Sequence, residues 1–400
     1  MSELNRPTIL VLASTYPRWR NDPEPGFVHE LCHRLTDRFN VIALVPDAPG
    51  ADGDGLLDGV EVVRFRYAPR ACQTLVNNGG IVANLRQSPW KFLLVPGFVL
   101  GQYFAACRLL QKRSVDFIHA HWLIPQGLIA WQLKRKTATP YLVTSHGGDL
   151  FSLRGRALEA LKRLVADSSS AMTVVSTAMR DEAQRIKLKP PKLAVLPMGV
   201  DLHQRFVVDP DIQRAENQLL FVGRLVAKKG LVYLLNAMPQ VLAQRPATIL
   251  NIAGFGPEET ALRTQARKLG IESQVNFLGA MPQQDLPKLY RRASVFVAPF
   301  IRDAAGDQEG LPVVLMEAIG CGCPVVVGDV AGVRDLLGQA ADDICVNPQD
   351  TAALASSLLA TLEDPQQALS RAQSIRHAVA GRIDWKVIAN GYADLISSCI

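Results

Sequence analysis

The strongest constraint on the fold of this chain is a regular alternation between short apolar runs and helical segments. The first run, TILVLAS at 8–14, is apolar nearly throughout, as expected of a strand buried on both faces of a parallel sheet. Helical segments separate most of the runs that follow, which is the pattern of a doubly wound α/β domain. Further strands of this first set are predicted at 40–46, 60–67, 115–122, 141–146, 172–176 and 193–197.

A second set of βα units follows residues 197–218, a segment with weak periodicity and many turn formers that we predict to be the linker. Its strands are predicted at LLFVGRL, TILNIAG, VNFLGAM, SVFVAPF and PVVVGD. A chain of 400 residues, 48% hydrophobic and 20% charged, is long enough for two complete cores. We therefore expect two Rossmann-like domains, an N-terminal one over 1–200 and a second over 201–382.

The cysteines and the N-terminus bear on the compartment. Seven cysteines are scattered along the chain without a CxxC pair, which favours a reducing compartment over disulfides. The N-terminal sequence MSELNRPTILVLAS has no charged region before a long apolar core, so we expect no signal peptide. Together these observations predict a cytoplasmic protein.

Charge is unevenly divided between the two halves. Residues 1–205 contain 26 Lys and Arg against 17 Asp and Glu, a balance of +9, whereas residues 206–400 contain 17 against 20, a balance of −3. The basic half either meets an anionic surface, such as a membrane, or is merely kept soluble by its cations. It also contains a 16-residue uncharged run, FLLVPGFVLGQYFAAC at 92–107, which is too short and too interrupted for a membrane span. This run is either a buried helix or a contact with a membrane surface or a lipid acceptor, flanked by basic residues.

The segment GDQEGLPVVLMEAIGCGCP, at 306–324, predicts a loop that leads into a short buried helix over 312–321. Proline suits the first turn of this helix, and glycine followed by proline ends it. Glu309 lies in the loop just before the helix, and Glu317 lies inside the helix.

Between these carboxylates lies a predicted anion site. The backbone amides of Gly310 and Leu311, together with the helix dipole, would face an anion. Carboxylates on either side of an anion site suit a ligand with a phosphate centre flanked by two hydroxyl-bearing rings. A sugar nucleotide has that layout.

A basic turn at the start of the second domain predicts a diphosphate site. Gly223 and Arg224 end the strand LLFVGRL, and Lys229 opens the following helix. Both cations can converge on one phosphate group, which would bind a diphosphate without a metal. The alternative is an exposed basic turn. Gly254 closes the next strand in the same way, and the loop that contains Met281 could read a base with its backbone groups.

In the N-terminal half, Gly26 opens a helix that would face whatever binds above the sheet, and a glycine there allows close approach of a ligand. The alternative is a turn glycine in a flexible loop. The helix contains His29, Glu30 and His33, which spell the HExxH signature of zinc proteases. We reject a zinc protease, because no third ligand motif follows and the short helix lies between two strands of a βαβ unit.

Two strands of the first set end in histidines. His119 and His121 lie two residues apart on one face of their strand, at the end where ligands bind to open α/β sheets. No third metal ligand is apparent, so we predict a sugar or acceptor contact for His121, the alternative being a structural histidine. The next strand ends in SHGGD, where His146 and Asp149 are acceptor-side candidates; Asp149 could equally cap a helix.

The second half resembles glycosyltransferase family 4, the retaining enzymes of the GT-B fold. The motifs FVGRLVAKKGL, IAGFGP, VNFLGAMPQQDLPKLY and GDQEGLPVVLMEAIGCGCPVV carry this resemblance, over roughly 219–337, and the last has the spacing Glu-x7-Glu. TYPRW, PGFVHEL, HAHW and SHGGD resemble the family more loosely, and its usual Gly-Gly pair is here the single Gly26. The resemblance implies two Rossmann-like domains that face each other across a cleft, a closing helix over 383–400 that packs on the first domain, and a phosphate contact from the Gly26 amide.

The resemblance also implies roles for the candidate residues. Arg224 and Lys229 would bind the donor diphosphate and stabilise the leaving nucleoside diphosphate. Glu317 would bind the ribose hydroxyls and Glu309 the hydroxyls of the transferred sugar. His121 would contact the sugar near the reacting carbon. No bound cofactor or metal is then expected.

We therefore expect a retaining glycosyltransferase that moves a sugar from a nucleoside-diphosphate sugar to a saccharide or lipid-linked acceptor, at the inner face of a membrane and without a nucleic-acid partner. The donor stays open among UDP, GDP and ADP sugars. The alternatives are a GT-B epimerase or phosphorylase, and a sugar-nucleotide-binding protein without activity. A dinucleotide-dependent oxidoreductase is disfavoured, because neither domain has GxGxxG after its first strand.

Overall fold

A computed structural model of the chain describes residues 6–20, 22, 26–76, 80–304 and 306–400. The chain divides into two compact units, one formed by Met1–Met198 with Lys386–Ile400 and the other by Gly199–Trp385. It thus passes from one unit to the other after Met198 and returns after Trp385, where the sequence placed boundaries after residues 200 and 382.

In the first unit the described strands form one sheet in the order β3-β4-β2-β1-β5-β6-β7-β8, parallel except for the hairpin of β3 and β4. The strands are β1 (Thr8–Leu12), β2 (Asn40–Pro46), β3 (Gly55–Leu57), β4 (Val60–Phe65), β5 (Phe117–His121), β6 (Tyr141–Ser145), β7 (Ala171–Val174) and β8 (Leu193–Val195). The helices are α1 (Phe27–Leu35), α2 (Gly80–Gln87), α3 (Leu94–Lys112), α4 (Leu128–Thr137), α5 (Gly148–Phe151), α6 (Arg156–Ser168) and α7 (Thr177–Arg185). Every strand predicted for this unit is present, and only the short edge strand β3 was not predicted.

In the second unit the described strands form a fully parallel sheet in the order β11-β10-β9-β12-β13-β14. The strands are β9 (Gln218–Val222), β10 (Ile249–Ala253), β11 (Val275–Gly279), β12 (Val295–Ala298), β13 (Val325–Gly328) and β14 (Cys345–Val346). The helices are α8 (Leu231–Gln244), α9 (Glu259–Lys268), α10 (Leu286–Arg292), α11 (Val313–Gly320), α12 (Ala331–Leu337), α13 (Ala341–Ile344), α14 (Thr351–Glu363) and α15 (Pro365–Ile383). The prediction of two parallel α/β domains is confirmed.

The predicted linker over 197–218 belongs almost entirely to the second unit. Leu202 and Phe206 are buried in its core. The Arg214 guanidinium donates hydrogen bonds to backbone carbonyls beyond α10 and α11, among them Ala293 O at 3.0 Å and Gly322 O at 2.7 Å. The passage between the units lies inside this segment, but residues 199–218 pack on the second unit and do not form a free linker. Irregular backbone held by side-chain hydrogen bonds leaves no periodic pattern in the sequence.

The closing helix, α16 (Trp385–Ser397), joins the first unit from Lys386 onwards. The buried Tyr392 hydroxyl donates to the carbonyl of Leu196 at 2.8 Å, just beyond β8. Nearer the end of the helix, Asp394 pairs with Arg38 at 2.6 Å. Residues from opposite ends of the chain thus complete one domain.

The uncharged run of the first half forms most of a helical segment that extends over Pro89–Lys112 and is long and apolar enough to span a bilayer. Only 22% of its most apolar part is buried. Its buried face includes Phe98 and Gln102, and the Gln102 amide donates to the carbonyl oxygens of Ala13 and Leu44. This hydrogen bonding ties the helix to the ends of β1 and β2.

The opposite face of this segment leaves large apolar side chains more than half exposed: Trp90, Phe92, Leu93, Leu100 and Phe104. The interpretation of the uncharged run as a buried helix is therefore wrong for most of its length. Composition alone could not show this, because a buried helix and a helix with an exposed apolar face contain the same residue types.

Candidate functional site

The predicted phosphate site lies at the carboxyl end of β9 and is built by a tightly packed turn. Gly223 has a φ of 151° and is followed by Arg224 and a 3-10 turn that contains Lys229. Gly230 has a φ of 67°, and a Cβ there would lie 1.8 Å from the carbonyl oxygen of Pro299, beyond β12. Only glycine fits at this position, so the turn holds Lys229 firmly at the end of the central strands.

The neighbouring loop from β10 packs on the same turn through glycines. Gly254 has a φ of 152°, and a Cβ there would lie 1.8 Å from the carbonyl oxygen of Gly223. Two residues later, a Cβ on Gly256 would lie 2.5 Å from the carbonyl oxygen of Leu225. The predicted donor-site glycines Gly223 and Gly254 are thus brought together at adjacent strand ends.

Glu309 lies beside the predicted cation. Its Oε2 is 3.2 Å from Lys229 Nζ, and its Oε1 is 3.5 Å from Lys228 Nζ. Lys228 also lies 3.4 Å from Asp307. Lys228 and Asp307, which the sequence did not single out, therefore join Lys229 and Glu309 in one cluster, which we call the lysine cluster.

The electrostatics of the lysine cluster keep Glu309 ionised. Burial alone would raise the pKa of Glu309, but the neighbouring Lys229 and Lys228 ammoniums hold it at about 2. Burial lowers the pKa of Lys229, and Glu309 opposes this shift. Burial and the Arg224 guanidinium also act to lower the pKa of Lys228, but Glu309 and Asp307 outweigh them and raise it. The cluster thus presents fixed cations to an anion and a carboxylate to hydroxyl groups.

Glu317 lies in α11, at the centre of the helix predicted over 312–321, and is 2% exposed. Its Oε2 accepts a hydrogen bond of 2.9 Å from the buried Tyr290 hydroxyl, and its Oε1 accepts one of 3.4 Å from the Gln283 amide. Burial raises the pKa of Glu317 to about 7, although these hydrogen bonds and the Arg205 charge act in the opposite direction. The two glutamates of this segment therefore differ in charge state near neutral pH.

The remaining predicted donor residues lie in the backbone before α11, at Gly310 and Leu311, and in the loop after β11, at Met281. Gly310 packs against α12, where a Cβ on Gly332 would lie 2.2 Å from the Gly310 carbonyl oxygen. Leu311 and Met281 both pack against the apolar cluster that surrounds α11. The loop of Met281 is thereby brought close to the helix of Glu317.

Four residues of the second domain were missed from the sequence: Lys228, Asp307, Gln283 and Tyr290. Lys228 and Asp307 lie next to predicted residues, and their charge in a buried turn was the available signal. No feature of the sequence pointed from Tyr290 or Gln283 to Glu317.

In the first domain, the buried His119 and His121 and the half-buried His146 gather towards the carboxyl ends of β5 and β6, and we call them the histidine cluster. The His121 and His146 rings stack at 5.1 Å and share a hydrogen bond of 2.9 Å between Nδ1 and Nε2. His119 lies 4.2 Å from the His121 ring and bonds to the Thr144 hydroxyl. Within the described part of the chain, His121 Nε2 is buried without a hydrogen-bond partner.

Burial keeps the histidine cluster neutral. It lowers the pKa of His119 and of His146 to about 3 and that of His121 well below its usual value. Neutral imidazoles can donate or accept hydrogen bonds with hydroxyl groups, but they are not acids at neutral pH.

Asp149 is placed close to this cluster and has its own partners. Its carboxylate accepts hydrogen bonds from the Leu123 amide at 2.7 Å, the Ser145 hydroxyl at 2.8 Å and the His146 amide at 3.2 Å. These contacts fix the backbone after β5 and β6, which in turn orients His146.

Both histidines of the HExxH sequence contact Asp58. His29 bonds to the Tyr16 hydroxyl at 2.8 Å and to the Asp58 carboxylate at 3.0 Å, whereas His33 bonds to the Asp58 carbonyl at 2.6 Å. Gly26 precedes the helix as its N-terminal cap residue and is buried. Among the residues that the structure describes, no group of three or more His, Cys, Asp or Glu could hold a metal ion.

Comparison with known proteins adds sequence relatives. The family model of the glycosyl transferases group 1 matches residues 205–378, and the model of the glycosyl transferase 4-like domain matches residues 27–199. A glycogen synthase of Mycobacterium tuberculosis is 30% identical over 292 residues, which cover 70% of this chain and 68% of that protein. A GDP-mannose-dependent alpha-(1-6)-phosphatidylinositol monomannoside mannosyltransferase of Mycolicibacterium smegmatis is 29% identical over 301 residues, 72% of this chain and 78% of the relative.

Solved structures share the fold over nearly the whole chain. Sucrose-phosphate synthase from Thermosynechococcus elongatus matches with a TM-score of 0.79 and 22% identity, over 98% of this chain and 99% of that one. The Anabaena protein HepE, in complex with UDP and glucose, matches with a TM-score of 0.74 and 18% identity, over 98% of this chain and 100% of that one. These neighbours show the GT-B fold.

Proposed function

This chain belongs to glycosyltransferase family 4, the glycosyl transferases group 1, and on that premise we propose that it moves a sugar from a nucleoside diphosphate to a lipid-linked or growing saccharide acceptor at an anionic membrane surface. It is a glycosyltransferase that uses a nucleotide sugar. The proposal adds the class of acceptor, the membrane contact and the roles of single residues.

On the donor side, Arg224 and Lys229 act on the leaving group. As the bond to the sugar breaks, negative charge builds on the diphosphate, and fixed cations lower the energy of that transition state. Glu309, ionised beside Lys229, accepts hydrogen bonds from the transferred sugar, and Glu317 accepts them from the ribose. His121 is neutral, and in the part of the chain that the structure describes its Nε2 has no hydrogen-bond partner, so it contacts the sugar near the reacting carbon. The anomeric configuration is retained by front-face attack.

The observation that carries the membrane contact is the exposed apolar face of Pro89–Lys112. Soluble monomers rarely leave a large contiguous apolar patch exposed, and such patches mark interaction surfaces. Basic residues lie near both ends of the segment, Lys91 in its first turn and Arg108, Lys112 and Arg113 at its end. Of these, Lys91 donates hydrogen bonds to Thr74 and Asn84, and Arg113 pairs with Glu61. Apolar side chains among cations are the composition of helices that lie in the surface of an anionic bilayer.

The packing of this segment favours a surface position over a span. Phe98 and Gln102 are buried against the domain, so one face of the helix is already occupied by protein. The lipid acceptor in the name of the Mycolicibacterium relative supports an acceptor held in a membrane. We place the contact at the inner face of the cytoplasmic membrane, since the seven cysteines are free, as is usual in a reducing compartment.

A flotation experiment tests the membrane contact. The purified chain is mixed at low salt with vesicles of phosphatidylglycerol or of phosphatidylcholine. We expect it to float with the anionic vesicles only, and Leu100→Glu with Phe104→Glu to reduce the bound fraction about tenfold, because two charges replace apolar contacts with the bilayer. Leu278→Glu, at an exposed apolar position of the second domain, is the control. Equal behaviour of the variant and the control would refute the membrane contact.

A donor panel tests the transfer reaction. GDP-mannose, UDP-glucose and ADP-glucose are incubated with the protein, and release of the nucleoside diphosphate is measured with and without lipid extract. We expect one donor to react and release to rise with the lipid acceptor. Epimerisation of the donor without release would favour the epimerase alternative, and dependence on inorganic phosphate would favour the phosphorylase.

We also propose that transfer needs no metal ion, because Arg224 and Lys229 supply the positive charge that a divalent ion would otherwise bring to the diphosphate. Turnover in excess EDTA should match turnover in magnesium within about twofold. A loss of activity in EDTA that magnesium restores would show that the two cations are not sufficient.

A further inference from the structure

Lys228 is the member of the lysine cluster for which the proposed reaction has no role so far. It precedes the predicted phosphate ligand Lys229, yet its ammonium points to carboxylates, with Asp307 at 3.4 Å and Glu309 at 3.5 Å. Its side chain is 20% exposed. A lysine this enclosed costs free energy unless its charge is matched by partners.

Lys228 and Lys229 hold different oxygens of one carboxylate. Lys229 lies at Oε2 of Glu309, whereas Lys228 lies at Oε1. A diphosphate that engages Lys229 competes with Glu309 for the same ammonium. Lys228 then remains as a cation beside Oε1 of the carboxylate.

The balance of charge leads to the same conclusion. Two lysines match two carboxylates in this cluster, and Arg224 adds one further positive charge. A bound diphosphate adds roughly two negative charges. With the donor bound, the site is therefore net negative even when both lysines are charged. Removal of Lys228 would leave Glu309 and Asp307 close together and opposite the phosphates, and their repulsion would move Glu309 away from the sugar or protonate it.

Lys228 also fixes the segment that carries Glu309. Its carbonyl accepts a hydrogen bond of 2.9 Å from the Ile301 amide, at the start of this segment. Farther along, the Asp307 amide donates to the Asp303 carboxylate at 2.8 Å, and the Asp303 amide donates to the Asp307 carbonyl at 2.9 Å. One residue thus contacts the segment through its backbone at one end and through its side chain at the other.

We propose that Lys228 is a positioning residue of the donor site, which holds the Glu309 carboxylate towards the transferred sugar while the diphosphate engages Lys229. This role rests on the proposed function of Lys229 and Glu309. Lys228 itself contacts neither phosphate nor sugar in this arrangement. Its loss should therefore slow sugar transfer without weakening the binding of a nucleoside diphosphate that lacks the sugar.

The test compares Lys228→Met, which keeps the length of the side chain without its charge, with Lys228→Arg and with the control Lys268→Met at the exposed end of α9. For the donor that the panel identifies, we expect Lys228→Met to lower kcat about 30-fold, because a misplaced sugar contact is lost from the transition state. Affinity for UDP and GDP, measured by calorimetry, should stay within about threefold of the wild type. Lys228→Arg should recover most of kcat, and Lys268→Met should change nothing.

Asp307→Asn is the second variant, since it removes the other partner of Lys228 and keeps both lysines. It should lower kcat in the same direction by a smaller factor. A kcat of Lys228→Met equal to that of the control would overturn the proposal. A loss of UDP and GDP affinity as large as the loss of kcat would also overturn it, because Lys228 would then be a phosphate ligand.

A measurement without substrate separates this proposal from the proposed function. The Tm values of the wild type, Lys228→Met, Glu309→Gln and the double variant form a double-mutant cycle. If Lys228 and Glu309 are paired, the Tm shifts of the two single variants will not sum to the shift of the double variant. If no donor reacts with the wild type but the cycle shows coupling, the proposed function fails and the pairing stands. If a donor reacts but the shifts add and kcat is unchanged, the role of Lys228 fails alone.

Discussion

The lysine cluster and the histidine cluster occupy equivalent places in their domains, at the carboxyl ends of parallel strands, yet they have opposite electrostatics. In the lysine cluster, pairing with lysines keeps Glu309 ionised, and its pKa falls to about 2. In the histidine cluster, burial without a charged partner keeps the rings neutral, with the pKa of His146 at about 3. The same position in the fold thus holds charged groups in one domain and neutral hydrogen-bonding groups in the other.

Glu317 shows which factor decides between these outcomes. It is more fully buried than Glu309, whose side chain is 12% exposed. Its hydrogen-bond partners are the neutral Tyr290 and Gln283, and its pKa rises to about 7. Burial favours the neutral form of any ionisable group, and only close opposite charges reverse that preference. Pairing with opposite charges, rather than the degree of burial, therefore decides which of the two glutamates has a lowered pKa and which a raised one.

The largest expected effect comes from removing the charge of the donor site. Arg224→Ala combined with Lys229→Ala should lower kcat/KM by about 10³-fold or more, because the leaving diphosphate loses both cations that stabilise its developing charge. Steady-state release of the nucleoside diphosphate measures this loss. Circular dichroism should show an unchanged fold.

The matched control is Arg267→Ala with Lys268→Ala, which removes the same charge from the exposed end of α9. It should retain wild-type turnover. If the donor-site variant kept turnover near that of the control, the cations would have no catalytic role and the contrast between the two clusters would lose its functional meaning.

The next effect sharpens the comparison between the two glutamates and concerns stability. The pKa of Glu317 is raised from 4.5 to about 7 in the folded protein. A raised pKa means that the folded state binds the proton more tightly, so this contribution to stability is present below about pH 4.5 and is lost as the pH rises through 7. Glu317→Gln does not titrate, so its stability relative to the wild type should increase by up to about 3 kcal/mol between pH 4.5 and pH 8.

Urea unfolding of both proteins across this pH range measures the difference. Glu363→Gln, at an exposed position at the end of α14, provides a reference that should show no trend. A difference between Glu317→Gln and the wild type that stays constant with pH would mean that Glu317 is already ionised at pH 5, and its environment would then resemble that of Glu309.

Much of the fold and part of the site could be predicted from the sequence. Strands buried on both faces are continuous apolar runs, so β2 was predicted to the residue, over 40–46. Residues that close a strand or open a helix can also be recognised in the sequence, because the backbone geometry there requires particular residue types. Gly223 and Gly254, with φ near 150°, are examples, and Arg224 and Lys229 follow from their position beside such a turn.

The remainder depends on contacts that only the folded chain creates. Asp307 lies 79 positions from Lys228, and Tyr290 lies 27 positions from the carboxylate that it contacts. The packing of residues 199–218 on the second unit was missed for the same reason, since Arg214 holds irregular backbone through carbonyls about 80 to 110 positions away. The exposed face of α3 was also not determined by composition, because both of its faces are largely apolar and only the packing of residues such as Phe98 and Gln102 distinguishes them.

The smallest expected effect tests the neutral cluster. His121→Ala should lower kcat about 30-fold, because one neutral hydrogen bond to the sugar is lost, which is worth roughly 2 kcal/mol in a buried site. Since the pKa of His121 lies well below its usual value, the variant and the wild type should have pH profiles of the same shape between pH 6 and pH 8. A change in activity near pH 7 would come from Glu317 and should persist in the variant.

His377→Ala, at an exposed position of α15, is the control. If His121→Ala removed a limb near pH 6.5, the imidazole would carry a charge during turnover, and the two clusters would not differ in the way that their burial and pairing require.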